Sequence, residues 1–313
     1  RGLGDVYKIQ VYDERNHSLH SVKTPTIHSN LTMGILEGLL KATVEATSIS
    51  RFTHGTTIAT NILLENKGAR TAILTTEGFR DVLELGLANR MVLYRLDYKK
   101  TPPLVARPLR LEVDERIFAG GRIAKAVTPA KLGPLFDRIE RDGIEAVAVC
   151  FLHSYANPKN EDRARALIQA QYPEVFVSTS SEVVREFREY ERFSTNVLNA
   201  YVAPSIQRYL ELLRNTLEEE GVTGPIHVMT SSGGVISPGE AAKLPVNLLL
   251  SGPAGGVTAA SQLGQMTDES RLITCDMGGT STDVCLVRDG KPAMTTESEV
   301  QGYPNKTLQM EIK

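Results

Sequence analysis

The sequence predicts an α/β fold, on three observations. From Thr128 onward, strand-like apolar runs alternate regularly with helical patterns; residues 146–151 are a continuous apolar run of buried-strand type; and residues 272–287, LITCDMGGTSTDVCLV, read as strand, tight loop and antiparallel strand. At 313 residues and 41% hydrophobic, the chain exceeds the usual size of one core. Two lobes are therefore expected: residues 1–265 as the first, with an inserted β-rich segment at about 90–122, and residues 266–313 as the opening strands of a second.

Taken in order, residues 6–12 and 18–23 form a hairpin around the polar turn DERNH, and Asn30 is placed to cap a helix over 31–46. A short strand at 51–53 runs into HGTT, followed by a helix over 58–66 that Gly68 closes. Residues 71–75 are an apolar strand and 79–85 a short helix. The stretch 90–122 carries Pro102, Pro103 and Pro108 and then the alternating LRLEVDERI, the basis for reading it as an excursion. Thr128 and Pro129 open a helix ending at Gly143, and Asn157 and Pro158 open another that runs to Tyr172. After a strand at 175–178, a long helix is expected over 189–220 with a break or kink at Pro204. Strands at 226–229 and 246–250 then lead into the loops SSGG and SGPAGG, and a helix continues through Ala260.

A net charge of −2, with Lys and Arg dispersed, argues against a nucleic-acid surface. No apolar run approaches bilayer length and no signal-like start is present, so cytoplasm is the default expectation. Cys150, Cys275 and Cys285 sit in strand-like runs without metal-ligand spacing and read as buried small hydrophobes. The alternating charges at Arg185, Glu186, Arg188, Glu189, Glu191 and Arg192 read as a solvated helix face.

The chemistry concentrates at the 272–287 turn. Gly278 and Gly279 let backbone N–H groups approach an anion, while Thr280, Ser281 and Thr282 add hydroxyl donors. Asp276 and Asp283 offer hard oxygen ligands to Mg²⁺, directly or through water, and the set reads as a phosphate and metal loop, the alternative being a hairpin whose Gly pair and Asp serve only the turn. Three other places combine glycine with a strand end. In His54, Gly55, Thr56 and Thr57 a turn precedes a helix carrying Asn61; Ser231, Gly233 and Gly234 form a loop; and Ser251, Gly252, Gly255 and Gly256 resemble an anion-binding helix start. Each also reads as a tight structural turn. P-loop, dinucleotide, nucleophile-elbow and zincin motifs are absent.

The blocks FTHGTTIATNILLENKGARTAILTTEGFRDVLELG, EAVAVCFLHSYANP, REYERFSTNVLNAYV, LLLSGPAGGV and DMGGTSTDVCLV, in this order, resemble the hydantoinase A and 5-oxoprolinase family. The resemblance implies an actin-like ATPase (ribonuclease H-like) lobe and a second lobe closing on ATP and Mg²⁺. It further implies Asp276 near the metal, residues 278–280 on phosphate, and the loops at His54, Ser231 and Ser251 lining the interlobe cleft. Asp283 would orient metal water and His54 would shuttle a proton. The implied reaction opens a small cyclic amide, with a B-type hydantoinase subunit or domain as a possible partner in a homo- or hetero-oligomer. A ketone carboxylase subunit and a non-catalytic nucleotide-binding relative are the alternatives. RGLGDV stands where the family's first phosphate loop, DxGGTFTD, is expected, with Gly2, Gly4 and Asp5 as remnants. The Gly-rich adenosine loop would follow Lys313, so both ends are expected to be cut.

Overall fold

The computed structural model describes residues 6–25, 31–89, 94, 97, 99–277 and 282–313. The first phosphate-loop remnant, Asn30, and Gly278, Gly279, Thr280 and Ser281 lie outside the described residues.

Strands β1 (Val6–Asp13) and β2 (Ser18–Pro25) form the expected hairpin, with Val6 opposite Pro25 and Asp13 opposite Ser18. Helix α1 (Leu31–Lys41) lies directly on it, because Gly38 leaves the space occupied by Ile9; a Cβ there would fall 1.7 Å from Ile9 Cδ1. This helix stops short of Ala46, where the chain has already turned at Thr43, at φ 54°. Next come β3 (Phe52–His54) and α2 (Ile58–Leu64), then β4 (Thr71–Thr76), which is buried along its whole length. The expected helix at 79–85 shrinks to one turn, α3 (Val82–Leu85).

Strand β5 (Arg110–Val113) precedes a small hairpin, β6 (Arg116–Ile117) and β7 (Ile123–Lys125). Pro129 starts a 3₁₀ turn that continues into α4 (Gly133–Asp142), and Gly143 ends it in the left-handed region at φ 61°. Then follow β8 (Ala146–Cys150), α5 (Lys159–Gln171), β9 (Phe176–Thr179) and the turn α6 (Ser180–Val183). Helix α7 (Glu189–Glu219) is 31 residues long. Beyond it lie β10 (Ile226–Met229), β11 (Val235–Ile236), α8 (Pro238–Lys243) capped by Ser237, and α9 (Ser251–Met266). Strands β12 (Leu272–Met277), β13 (Thr282–Arg288) and β14 (Lys291–Pro292) make an antiparallel sheet. Four short strands follow: β15 (Met294–Thr295), β16 (Ser298–Val300), β17 (Tyr303–Asn305) and β18 (Gln309–Met310).

The central sheet has the order β5-β4-β8-β9, and every neighbouring pair in it is parallel. One face is covered by α4 and α5 through Leu135, Ile139, Ala164 and Ile168, the other by α7 through Phe193, Val197 and Ala200. Both faces are therefore dry, which is why β8 reads as an unbroken apolar run. The second half of α7 leaves this sheet and packs, through Ile206, Tyr209, Leu210 and Leu213, into a separate core that includes α1, α2 and β10. In a second small sheet, β10 pairs parallel with β3 and antiparallel with β11. One helix thus carries both the central sheet and the floor beneath His54.

The structure corrects several expectations. Residues 110–113 do not belong to an excursion, because β5 pairs in register with β4 as an edge strand of the central sheet, with Arg110 and Val113 buried. Residues 246–250 are not a strand; Pro245–Leu248 form a 3₁₀ turn, consistent with proline favouring the start of a helical turn. Pro204 does not break α7, since burial of both halves outweighs the cost of about 3 kcal/mol for an interior proline. Cys150 and Cys285 are buried as expected, but Cys275 is exposed. Arg192 is not on a solvated face: it is fully buried, donating to the carbonyl oxygens of Phe151 (2.9 Å) and Glu186 (3.2 Å).

Candidate functional site

A single open cleft, about 2470 Å³ in volume, gathers most of the chemistry singled out above. Its walls are the hairpin β1–β2, the turn from His54 through Thr57 with the start of α2, the first turn of α9, and the ends of β12 and β13 at Asp276, Met277 and Asp283. Segments more than two hundred residues apart in sequence meet here.

The HGTT turn is held by its own hydroxyls and by α9. Thr56 Oγ1 accepts from Ile58 N at 3.1 Å, and Thr57 Oγ1 accepts from Asn61 Nδ2 at 3.4 Å. Ser251 Oγ donates to Thr56 O at 2.9 Å, and Leu250 N donates to Thr60 Oγ1 at 3.0 Å. The SGPAGG segment is not the loop expected from the sequence, because it forms the first turns of α9, with Leu250 in the left-handed region at φ 64° ahead of it. Gly252 permits this contact: a Cβ there would lie 2.9 Å from Thr57 Cγ2. Gly255 is similarly close to Met229 Sδ, at 2.8 Å, whereas Gly55 and Gly256 face open space. The N-terminus of a 16-residue helix therefore opens on the cleft with the positive end of its dipole and, in its first turn, the N–H groups of Ser251 and Gly252, Pro253 having none.

His54 ends β3 and is buried, with Nε2 at 2.7 Å from Tyr209 Oη. Burial lowers its pKa from 6.5 to about 4, so the ring is neutral near pH 7. That changes the expected role: a ring that resists protonation is a poor proton shuttle and a good fixed dipole. Burial also pushes the Tyr209 phenol upward, with Tyr7 of the hairpin adding to the effect.

Asp276 and Asp283 stand directly opposite one another in the β12–β13 ladder, and Thr282, exposed, opposes Met277. Like charges in that relation repel. Burial first, then the neighbouring Asp276 carboxylate, raise the Asp283 carboxyl above its ordinary value. Lys8 Nζ of the hairpin lies 4.0 Å from Asp276 Oδ1, too exposed a pair to offset the repulsion by much. Among the described residues, no group of three or more His, Cys, Asp and Glu side chains could hold a metal. Mg²⁺ binds through one or two carboxylates and takes its other ligands from water and phosphate, and the Asp276–Asp283 pair is chemically a donor set of that kind.

The SSGG loop does not join this wall. Ser231, buried, donates from N and Oγ to Asn247 O, at 2.7 and 2.5 Å, and accepts from Met310 N. Gly233, at φ 82°, leaves room for Met310, and Gly234 O accepts from Thr230 N, so the loop serves packing. Sequence reasoning missed Tyr209, 155 residues from its partner, and also Tyr7 and Lys8 on the hairpin. Only the alternating pattern of the hairpin hinted at the last two.

Comparison with known proteins identifies the family and the fold. The Hydantoinase/oxoprolinase N-terminal region matches residues 8–172 and Hydantoinase/oxoprolinase matches residues 192–313, so the chain belongs to the hydantoinase/oxoprolinase family. It is 36% identical over 304 residues to an uncharacterized protein of Methanocaldococcus jannaschii, covering 96% of this chain and 45% of that one. It is also 36% identical over 253 residues to caprolactamase subunit alpha of Pseudomonas jessenii, covering 80% and 36%. To the acetophenone carboxylase gamma subunit of Aromatoleum aromaticum it is 31% identical over 310 residues, covering 91% and 40%. The crystal structure of the ATP-dependent caprolactamase from Pseudomonas jessenii superposes with a TM-score of 0.88 at 29% identity, covering 99% of this chain and 46% of that one. The fold is thus that of the hydantoinase-type ATPases. The chain spans less than half the length of these relatives. Among the described residues, no helix is long and apolar enough to cross a membrane.

Proposed function

We propose that this chain supplies a nucleotide-binding lobe of an ATP-dependent enzyme that hydrolyses a cyclic amide of the 5-oxoproline or hydantoin type by phosphorylation of the ring carbonyl oxygen. The observation that carries the reading is the cleft, where the HGTT turn, the N-terminus of α9 and the Asp276–Asp283 pair meet. In this reading residues 1–265 form one lobe and 266–313 the opening strands of a second.

An amide carbonyl is deactivated by the same resonance that sets the roughly 18–20 kcal/mol rotation barrier of a peptide bond. Mg·ATP, when bound, supplies the phosphoryl group that makes the carbonyl carbon electrophilic and couples ring opening to phosphate release. Asp276 would hold the metal, and Asp283 would orient water bound to it. The N-terminus of α9 favours the negative charge of the phosphate chain, and residues 278–282 are assigned to the same task. His54, neutral, offers a hydrogen bond to an oxygen in the cleft. The surrounding surface is left to a further lobe or a B-type hydantoinase subunit or domain; relatives are themselves subunits of larger enzymes.

A second reading keeps the fold and changes the acceptor to a ketone with bicarbonate, favoured by the similarity to an acetophenone carboxylase subunit. Phosphate release by the full-length protein with its partner subunits separates the two. Stimulation by 5-oxoproline, hydantoin or caprolactam supports the first; stimulation only by a ketone plus bicarbonate replaces it with the second. Tight ATP binding with no stimulation by any of these overturns both and leaves a non-catalytic nucleotide-binding module.

A further inference from the structure

We infer that Tyr209 is a positioning residue that fixes the tautomer of His54, so that the imidazole presents a permanent Nδ1–H donor to an acceptor oxygen, carbonyl or phosphoryl, in the cleft. The inference rests on the proposed reading of the cleft as the reaction site.

The argument starts from the 2.7 Å separation of Tyr209 Oη and His54 Nε2. That separation is within hydrogen-bonding range for a phenol O–H donating to an unprotonated ring nitrogen. Acid–base chemistry agrees. A neutral imidazole nitrogen is a far better acceptor than a phenol oxygen, and a phenol is the more acidic donor. Tyr209 stays protonated because burial opposes its ionisation, and of its two hydrogen-bonding neighbours, Tyr7 and His54, the imidazole nitrogen is the stronger acceptor for the phenol proton. With Nε2 accepting and the ring neutral, the proton resides on Nδ1.

Nδ1 has no hydrogen-bond partner among the described residues, yet it is not a sealed orphan like His227 Nδ1. His54 lines the cleft, which gives this donor access to a bound group. The ring cannot easily turn away: Phe52 lies on one side at 6.5 Å between ring centroids, Tyr209 on another at 5.7 Å, and the backbone is paired to β10 at Val228. Tyr209 is itself anchored in α7, in the core beneath α1 and α2. A neutral, oriented N–H in a partly dry site stabilises developing negative charge without having to lose its proton.

The test uses the protein with ¹⁵N-labelled histidine, His54 being assigned by difference from His54→Gln. Long-range ¹H–¹⁵N spectra between about pH 6 and 8 are expected to show Nδ1 protonated and Nε2 as acceptor. Tyr209→Phe should mix or reverse the tautomers and lower kcat by up to about 10² to 10³, with KM for ATP little changed. An Nε2-protonated ring in the unsubstituted protein overturns the inference, whether or not Tyr209→Phe folds. So does a tautomer unaffected by Tyr209→Phe. The expected tautomer in a protein that no cyclic amide stimulates supports this assignment while removing the proposed reaction, so the two fail separately.

Discussion

Ser251, the first residue of α9, donates its hydroxyl to the carbonyl oxygen of Thr56 at 2.9 Å, and both residues are buried. This bond ties the helix start to the HGTT turn, so two glycine-bearing segments are joined into one wall of the cleft. Ser251→Ala removes the donor and leaves a buried carbonyl unpaired. The expected loss is about 1–3 kcal/mol, read as a lower urea midpoint with unchanged m-value. An unchanged midpoint would show that the wall does not depend on this contact.

Two glycines in the same helix should respond oppositely to alanine. A Cβ at Gly252 falls 2.9 Å from Thr57 Cγ2, whereas one at Gly256 meets nothing within 4 Å. Gly252→Ala is expected to destabilise and to weaken nucleotide binding by separating α9 from the HGTT turn. Gly256→Ala is expected to stabilise by roughly 0.5–1 kcal/mol through lower backbone entropy in the unfolded chain. Thermal melts of the pair, with nucleotide titration of each, check the contrast.

Acid should destabilise the fold through His54. Its folded-state pKa of about 4 lies below the ordinary 6.5, so the unfolded chain binds a proton between these values that the folded chain refuses. Stability is therefore full above about pH 6.5 and falls as pH drops toward 4, by up to roughly 3 kcal/mol for this group. His54→Gln should flatten that part of the profile, measured by denaturant midpoints at successive pH values. Equal slopes for both proteins would mean that burial of this ring does not set the acid limb.

The opposed carboxylates of Asp276 and Asp283 predict a metal-dependent stability. Without divalent cation, Asp283→Asn should raise stability by a few tenths of a kcal/mol to about 1, since a cross-strand repulsion is relieved. With Mg²⁺ and ATP, the unsubstituted protein should gain thermal stability and Asp276→Ala should not. Identical ligand-induced shifts in both would take Asp276 out of the site.

Much of the architecture was legible in local pattern. The hairpin, β4, α4, β8, α5, α7 and the β12–β13 pair follow from alternation, apolar runs and Pro or Gly punctuation within each segment. The failures have a common cause in packing between segments. The stretch 246–250 has strand-like composition, yet Pro245 and the contact with α7 make it a 3₁₀ turn, and the following SGPAGG then becomes helix. Arg192 carries a charge that pattern reading sends to solvent, but it is the donor for carbonyls that follow β8 and precede α7. Of the candidate site, the sequence pointed to His54, the HGTT turn and Asp276 with Asp283; it also offered the SSGG loop, which packs against Met310 and is not among the residues lining the cleft.

Local pattern located the candidate glycine, hydroxyl and carboxylate clusters and the family blocks that hold them, because such clusters are features of contiguous sequence. Which of them share a cleft, that Tyr209 stands against His54, and that burial keeps the imidazole neutral emerge from the folded chain. Those outcomes depend on burial and on contacts between distant segments, and desolvation has no signature in the identity of the residue it acts on.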